Sequence, residues 1–209
     1  MMKVVAFNGS PHYDGVVAKG ISIIQRELEK SATVSVEIIH IGNKHIRGCI
    51  DCRKCSETRR CIIEDGVVNE AIDLLHSADG IILGSPVYYG GIAGTFKSFL
   101  DRLFCAGPTM PFKVGATVVS LRRSGGIAAF SQLNNYFSLA GVIIAPSISW
   151  GIMHGNNAHE TMEDKEGLQI MEIQGRNMAW LLKMIAVAAK EDIPLPPHIA
   201  ERKKINFIH

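Results

Sequence analysis

The stretch Asp79 to Gly84 restricts the possible folds of this chain more than any other. Its centre, Ile81-Ile82-Leu83, is apolar at every position rather than at alternate ones, as a parallel strand covered by helices on both faces must be. Such a strand needs parallel neighbours joined by helical crossovers. The rest of the sequence supplies them. Lys3 to Asn8 is a short β-branched run, Thr33 to His40 alternates Val34, Val36 and Ile38, and Val114 to Leu121 forms a fourth run. Val142 to Trp150 reads as a fifth strand, placed near an edge by Pro146. Between them lie helical periodicities: Ile21, Ile24 and Leu28; Val67, Ala71, Leu74 and Leu75; Phe96, Phe99, Leu100 and Leu103; Phe130, Leu133 and Phe137. Gly151 to Met162 reads as a polar loop, and Lys165 to Lys190 as a long helix. The expectation is an α/β domain over residues 1–190 with a five-stranded parallel sheet, then a tail over 191–209 that opens with Pro194, Pro196 and Pro197.

In such sheets a ligand lies beyond the carboxyl ends of the strands, where strand order reverses. Three loops open there. Gly9-Ser10-Pro11-His12-Tyr13-Asp14-Gly15 joins the first strand to its helix, so Ser10, His12 and the backbone N–H groups of Gly15, Val16 and Val17 are candidates to hold a phosphate. Gly, Pro and Asp also suit such a turn for conformational reasons alone. The loop is neither G-x-G-x-x-G nor a P-loop. Ser85-Pro86-Val87-Tyr88-Tyr89-Gly90 puts two aromatics at the same edge, suited to a planar heteroaromatic ring or simply to covering the sheet end. Ser124-Gly125-Gly126 adds backbone donors after the fourth strand.

Four cysteines, Cys49, Cys52, Cys55 and Cys61, crowd the segment 47–64. Four thiolates in so compact a loop suit a [4Fe–4S] cluster. Structural zinc more often uses two separated pairs, and an empty thiol loop is the third reading. Arg47, Arg53, Lys54, Arg59 and Arg60 surround the cysteines. Their field would favour thiolates and suit the docking of an acidic electron donor. The fifth cysteine, Cys105, reads as a small buried apolar residue.

A formal charge of +2 makes no case for nucleic acid, and the basic run Arg202-Lys203-Lys204 reads as a solvated end. No apolar run reaches the roughly 20 residues of a membrane span. No signal peptide is visible, so the expected compartment is the cytoplasm.

Gly9-Ser10-Pro11, Ser85-Pro86-Val87-Tyr88-Tyr89-Gly90 and Lys97-Ser98-Phe99-Leu100-Asp101-Arg102 resemble the NADPH-dependent FMN reductase and flavodoxin-like superfamily. With the four cysteines, the sequence is most similar to the iron-sulfur flavoproteins within it. The resemblance covers about Lys3 to Gln174 and implies a three-layer flavodoxin-like fold with strand order 2-1-3-4-5. It also implies FMN held by the three loops, homodimers or homotetramers, and electron transfer between cluster and flavin, with ferredoxin or NAD(P)H as donor. Relatives continue Gly-Ser-Pro with Arg and then Asn and Ser or Thr, whereas this chain has His12 and then Gly15-Val16-Val17, which predicts weaker FMN retention. Two other functions fit the residues: an NAD(P)H-dependent FMN or quinone reductase without a cluster, and a non-catalytic zinc-stabilised binding module. His154 and His159 are assigned no role.

Overall fold

A computed structural model describes residues 1–197; the Arg202-Lys203-Lys204 run and most of the expected tail lie outside the described residues. Parallel strands β1 (Met2–Asn8), β2 (Val34–His40), β3 (Gly80–Tyr88) and β5 (Val114–Leu121) form the body of the sheet, with β2 at its edge. The alternation of side chains along each strand divides the core in two. Val5, Phe7, Ile81, Leu83 and Val119 face α3 (Val67–Ser77), α4 (Gly94–Ala106) and α5 (Gly126–Ala140). Val4, Ala6, Ile82, Ala116 and Val118 face α1 (Val16–Glu29) and α7 (Lys165–Lys190). Three layers result, as a strand apolar on both faces requires.

The sheet runs β2-β1-β3-β5-β6, with seven strands in all. The first four of the expected strands stand in the expected order, and the fifth is corrected. Val142 to Trp150 is not one strand: β6 is only Ile143–Ile144, and the chain returns to β5 as β7 (Ile152–His154). Pro146 has no N–H for the ladder. The chain there is tied to α7 instead, with the Asn177 side chain donating to the Pro146 carbonyl at 2.9 Å and the Ser147 hydroxyl to that of Ile170 at 2.7 Å. The expected polar loop therefore contains β7 and a single turn, α6 (Ala158–Thr161). A further strand, β4 (Gly91–Ile92), pairs antiparallel with the end of β3, so the sheet is not wholly parallel.

The α1–α7 contact encloses one carboxylate. Glu27 leaves 2% of its side chain exposed and receives Lys30 at 2.7 Å and Arg176 at 3.0 Å. Desolvation alone would raise its pKa, but the hydrogen bonds from Lys30 and Arg176 outweigh it and hold the carboxyl below its ordinary value of 4.5. A group whose pKa is depressed by folding contributes stability above its unfolded pKa and loses it as pH falls through the folded one. Glu27→Gln is therefore expected to flatten the decline of stability below about pH 4.5, read as urea midpoints at pH 7 and in acid. An acid slope equal to that of the parent protein would assign the decline to other carboxylates.

Candidate flavin site and cysteine loop

β1 lies between β2 and β3, so the chain leaves β1 in one direction and passes back over it to form β3. The carboxyl ends of β1 and β3 flank the resulting crevice. Gly9 donates to the Gly84 carbonyl at 2.8 Å, joining the first loop to β3. Its α-carbon faces Phe96 so closely that a Cβ would stand 2.3 Å from the ring. Asn8 accepts from the Ser10 amide at 2.9 Å, and the buried Ser10 hydroxyl accepts from His12 at 3.2 Å. Ser10 thus shapes the loop, and His12 is exposed. Tyr13 stacks on His40 at the end of β2, with ring centroids 3.7 Å apart. The loop delivers the chain to α1 with Gly15 extended at the N-cap. No side chain caps the helix, and its first turn carries no acid. The side chains of Val16 and Val17 are buried, so these residues can offer a ligand only their backbone N–H groups.

The second loop is a hairpin. Val87 pairs with Ile92 and Tyr88 with Gly91. Tyr89 at φ 49° and Gly90 at φ 78° turn between them, the conformation of a type I′ turn. A tyrosine in the left-handed region is strained, and backbone strain of this kind gathers at functional sites. The Ser85 hydroxyl is fully buried; it donates to the Pro86 carbonyl at 2.9 Å and accepts from the Ala93 amide at 3.0 Å. Ser85 and the buried Pro86 therefore aim the hairpin from within. Val87 is half-buried, and Tyr88 and Tyr89 are exposed. The third loop touches this hairpin: Gly125 has φ 89°, and a Cβ there would stand 3.0 Å from the Gly90 α-carbon. Ser124, Gly125 and Gly126 also line a cleft of about 450 Å³ walled by Trp150, His154 and Asp164.

The cysteine loop leaves the carboxyl end of β2. One half is anchored and the other is not. Arg102 of α4, 1% exposed, donates to the carbonyls of Arg47 at 3.2 Å and Ile63 at 2.7 Å, to the Asp65 carboxylate, and to the Cys61 sulfur at 3.2 Å. Asn69 exchanges two hydrogen bonds with the Cys61 backbone, each 2.9 Å, and Arg60 pairs with Asp73. Cys49 and Cys52 are exposed, and Asp51 and Arg53 on either side of Cys52 have positive φ. Cys55 opens the single turn α2 (Cys55–Thr58). Its sulfur lies 3.6 Å from that of Cys105. Cys105 is exposed, not buried as its apolar setting implies. Desolvation, and then the hydrogen bond to Cys55, push its thiol up to about 11.

The arrangement suits FMN. It offers an uncapped helix start with no acid in its first turn, and two glycine-shaped loops in contact with each other. The cysteines are the right donors for an iron-sulfur cluster, and two are already held. As placed, however, no three His, Cys, Asp or Glu side chains among the described residues are gathered closely enough to hold a metal ion. Sequence reasoning missed Arg102 as the clasp of the loop, although its motif had been singled out. It also missed the Cys55–Cys105 contact, which no spacing in the sequence could have revealed.

These features define a flavodoxin-like α/β protein. The sequence profile of NADPH-dependent FMN reductase matches residues 2–157. An iron-sulfur flavoprotein of Methanocaldococcus jannaschii is 32% identical over 88% of this chain and 99% of its own length. One from Methanosarcina thermophila is 26% identical over 88% and 97%. Among solved structures, a flavodoxin from the domain Archaea superposes with a TM-score of 0.57 at 17% identity, covering 87% of this chain and 99% of its own. A WrbA-like flavodoxin of Agrobacterium tumefaciens gives 0.59 at 14% identity over 88% and 99%. The chain belongs to the iron-sulfur flavoproteins of the NADPH-dependent FMN reductase family. It is an FMN-dependent oxidoreductase. No described helix is long and apolar enough to cross a membrane.

Proposed function

We propose that this oxidoreductase works with FMN at the β1/β3 crevice and uses its cysteine loop as the electron entry point, with Cys49, Cys52, Cys55 and Cys61 as ligands of a [4Fe–4S] cluster. The observation that carries the FMN part is the uncapped, acid-free start of α1 at the switch point, where free N–H groups and the helix dipole favour a phosphate. FMN supplies one- and two-electron chemistry when bound; the chain supplies its binding and orientation. In this reading the amides of Gly15, Val16 and Val17 hold the phosphate, with Ser10 and His12 shaping the loop. Ser85 and Pro86 aim the Val87–Gly90 hairpin, with Tyr88 and Tyr89, toward the ring from one side. Ser124, Gly125 and Gly126 offer backbone donors from the other. Cluster ligation requires the exposed segment carrying Cys49 and Cys52 to fold onto Cys55 and Cys61. Arg53 and Arg60 are paired with Asp51 and Asp73, while Lys54 and Arg59 stay exposed on a face that suits an acidic donor such as ferredoxin. A homodimer or homotetramer would bring this loop near a flavin of another subunit.

The scattered sulfurs favour a second reading, a cluster-free reductase that takes its electrons from NAD(P)H. Flavin, iron and sulfide per chain in anaerobically prepared protein decide between them. About one FMN with about four iron and four sulfide is the expected result. FMN without iron turns the reading to the second. Zinc without flavin would overturn both and leave a zinc-stabilised binding module.

A further inference from the structure

The Cys55–Cys105 contact has no part in a four-ligand loop. It brings together two residues fifty positions apart, one opening α2 and the other in the last turn of α4, because α2 packs on α4. The approach is built in. Arg102, one turn before Cys105 on the same helix, binds both ends of the loop through Arg47, Cys61, Ile63 and Asp65 and so draws it onto α4. Among the described residues no other two of the five sulfurs stand within hydrogen-bonding reach of each other. From 3.6 Å, an approach of about 1.5 Å reaches covalent length. Cys105 is open to solvent and Cys55 half-buried, so a small reagent can reach the pair.

We propose that Cys55 and Cys105 form a reversible disulfide that gates the cysteine loop. The oxidant is a low-molecular-weight disulfide, RSSR. One sulfur of the pair, as thiolate, attacks RSSR; a mixed disulfide forms and one RS⁻ leaves, taking up a proton as RSH. The second sulfur then attacks the protein sulfur of that mixed disulfide and expels the other RS⁻. The chain gives up two electrons and two protons, and RSSR becomes two RSH. Excess dithiol reverses both steps. Resting on the proposed cluster reading, one consequence follows: a Cys55 sulfur held in this bond cannot ligate iron, so oxidation closes the loop to metal and reduction reopens it.

The test uses the full-length, metal-free protein, equilibrated anaerobically with mixtures of oxidised and reduced glutathione, quenched by alkylation and mapped by mass spectrometry. The parent protein is expected to pass from five free thiols to three, with a cross-linked peptide joining Cys55 to Cys105. Cys105→Ser is expected to keep its remaining thiols free at the same poise. Cross-links that instead join Cys55 to Cys49 or Cys52, or equal oxidation of Cys105→Ser, would overturn the proposal. Iron and sulfide uptake is then measured on the same samples. Pre-oxidised parent protein should take up about tenfold less iron than reduced protein, and Cys105→Ser the same amount from either state. Failure of every reduced sample to take up iron would sink the cluster reading alone, since the cross-link map is read without metal.

Discussion

Arg102→Met is expected to cost about 3–5 kcal/mol of stability, because it leaves the largely buried Asp65 carboxylate unpaired and takes their donor from the carbonyls of Arg47 and Ile63. The penalty is that of an unpaired charge: Asp65 is only 14% exposed in its side chain and Arg102 1%. The guanidinium is wholly suited to the task. It is planar, carries five N–H donors and meets four acceptors here, which a lysine could not do. Lysine at this position should therefore rescue little. Removing both charges with Arg102→Met and Asp65→Leu should recover a large part of the loss. Urea unfolding of the three variants measures this, and the rate at which a thiol reagent modifies Cys61 measures the loop. Cys61 loses its donor and should react faster in Arg102→Met while Cys49 and Cys52, already exposed, do not change. A variant of near-parental stability with Cys61 still protected would mean that Asn69 and Asp73 hold the loop without help.

The layers of the fold could be read from the sequence because the fully apolar Ile81-Ile82-Leu83 and the helical stripes state the same pattern twice, once as an unbroken run that needs cover on both faces and once at a period of 3.6. The Ile21–Leu28 stripe of α1 and the Phe96–Leu103 stripe of α4 both describe real core faces. What stayed hidden was decided by contacts between distant segments. Ile152-Met153-His154 is too short to announce a strand, and it became β7 only because the chain, tied to α7 at Pro146 and Ser147, returned beside Val119–Leu121. The Ser85 hydroxyl points inward because Ala93 returns to it through a tight hairpin, and Tyr89 accepts positive φ for the same turn. The cysteines were visible as a set, but their sorting into a half-buried pair and an exposed pair follows from Arg102 and Asn69, which bind Cys61, and from Cys105 of α4, which meets Cys55. The fifth sulfur joined them for the same reason.

Gly15→Asp is expected to move stability and cofactor affinity in opposite directions. Gly15 is the N-cap of α1, with φ −73° and ψ −172°, a backbone that any residue can adopt, and no side chain caps the helix. A Cβ there would stand 3.1 Å from that of exposed His12, which has room to yield. An aspartate would cap the free amides and oppose the helix dipole favourably, adding a few tenths to about 1 kcal/mol to the flavin-free protein. The same carboxylate would occupy the N–H groups needed by a phosphate and repel its charge. Losing two charge-assisted hydrogen bonds at about 1.5 kcal/mol or more each weakens FMN binding at least about a hundredfold. Riboflavin has the same ring without the phosphate, so its affinity should barely change. Gly15→Asn, which caps without charge, should fall between parent and aspartate for FMN. Flavin fluorescence titrations of the stripped protein with both ligands, beside thermal melts of the same samples, read all of these effects. FMN bound as tightly by Gly15→Asp as by the parent would remove the phosphate from the start of α1, and with it the reason for placing the flavin between β1 and β3. A fall shared equally by riboflavin would point instead to a displaced hairpin.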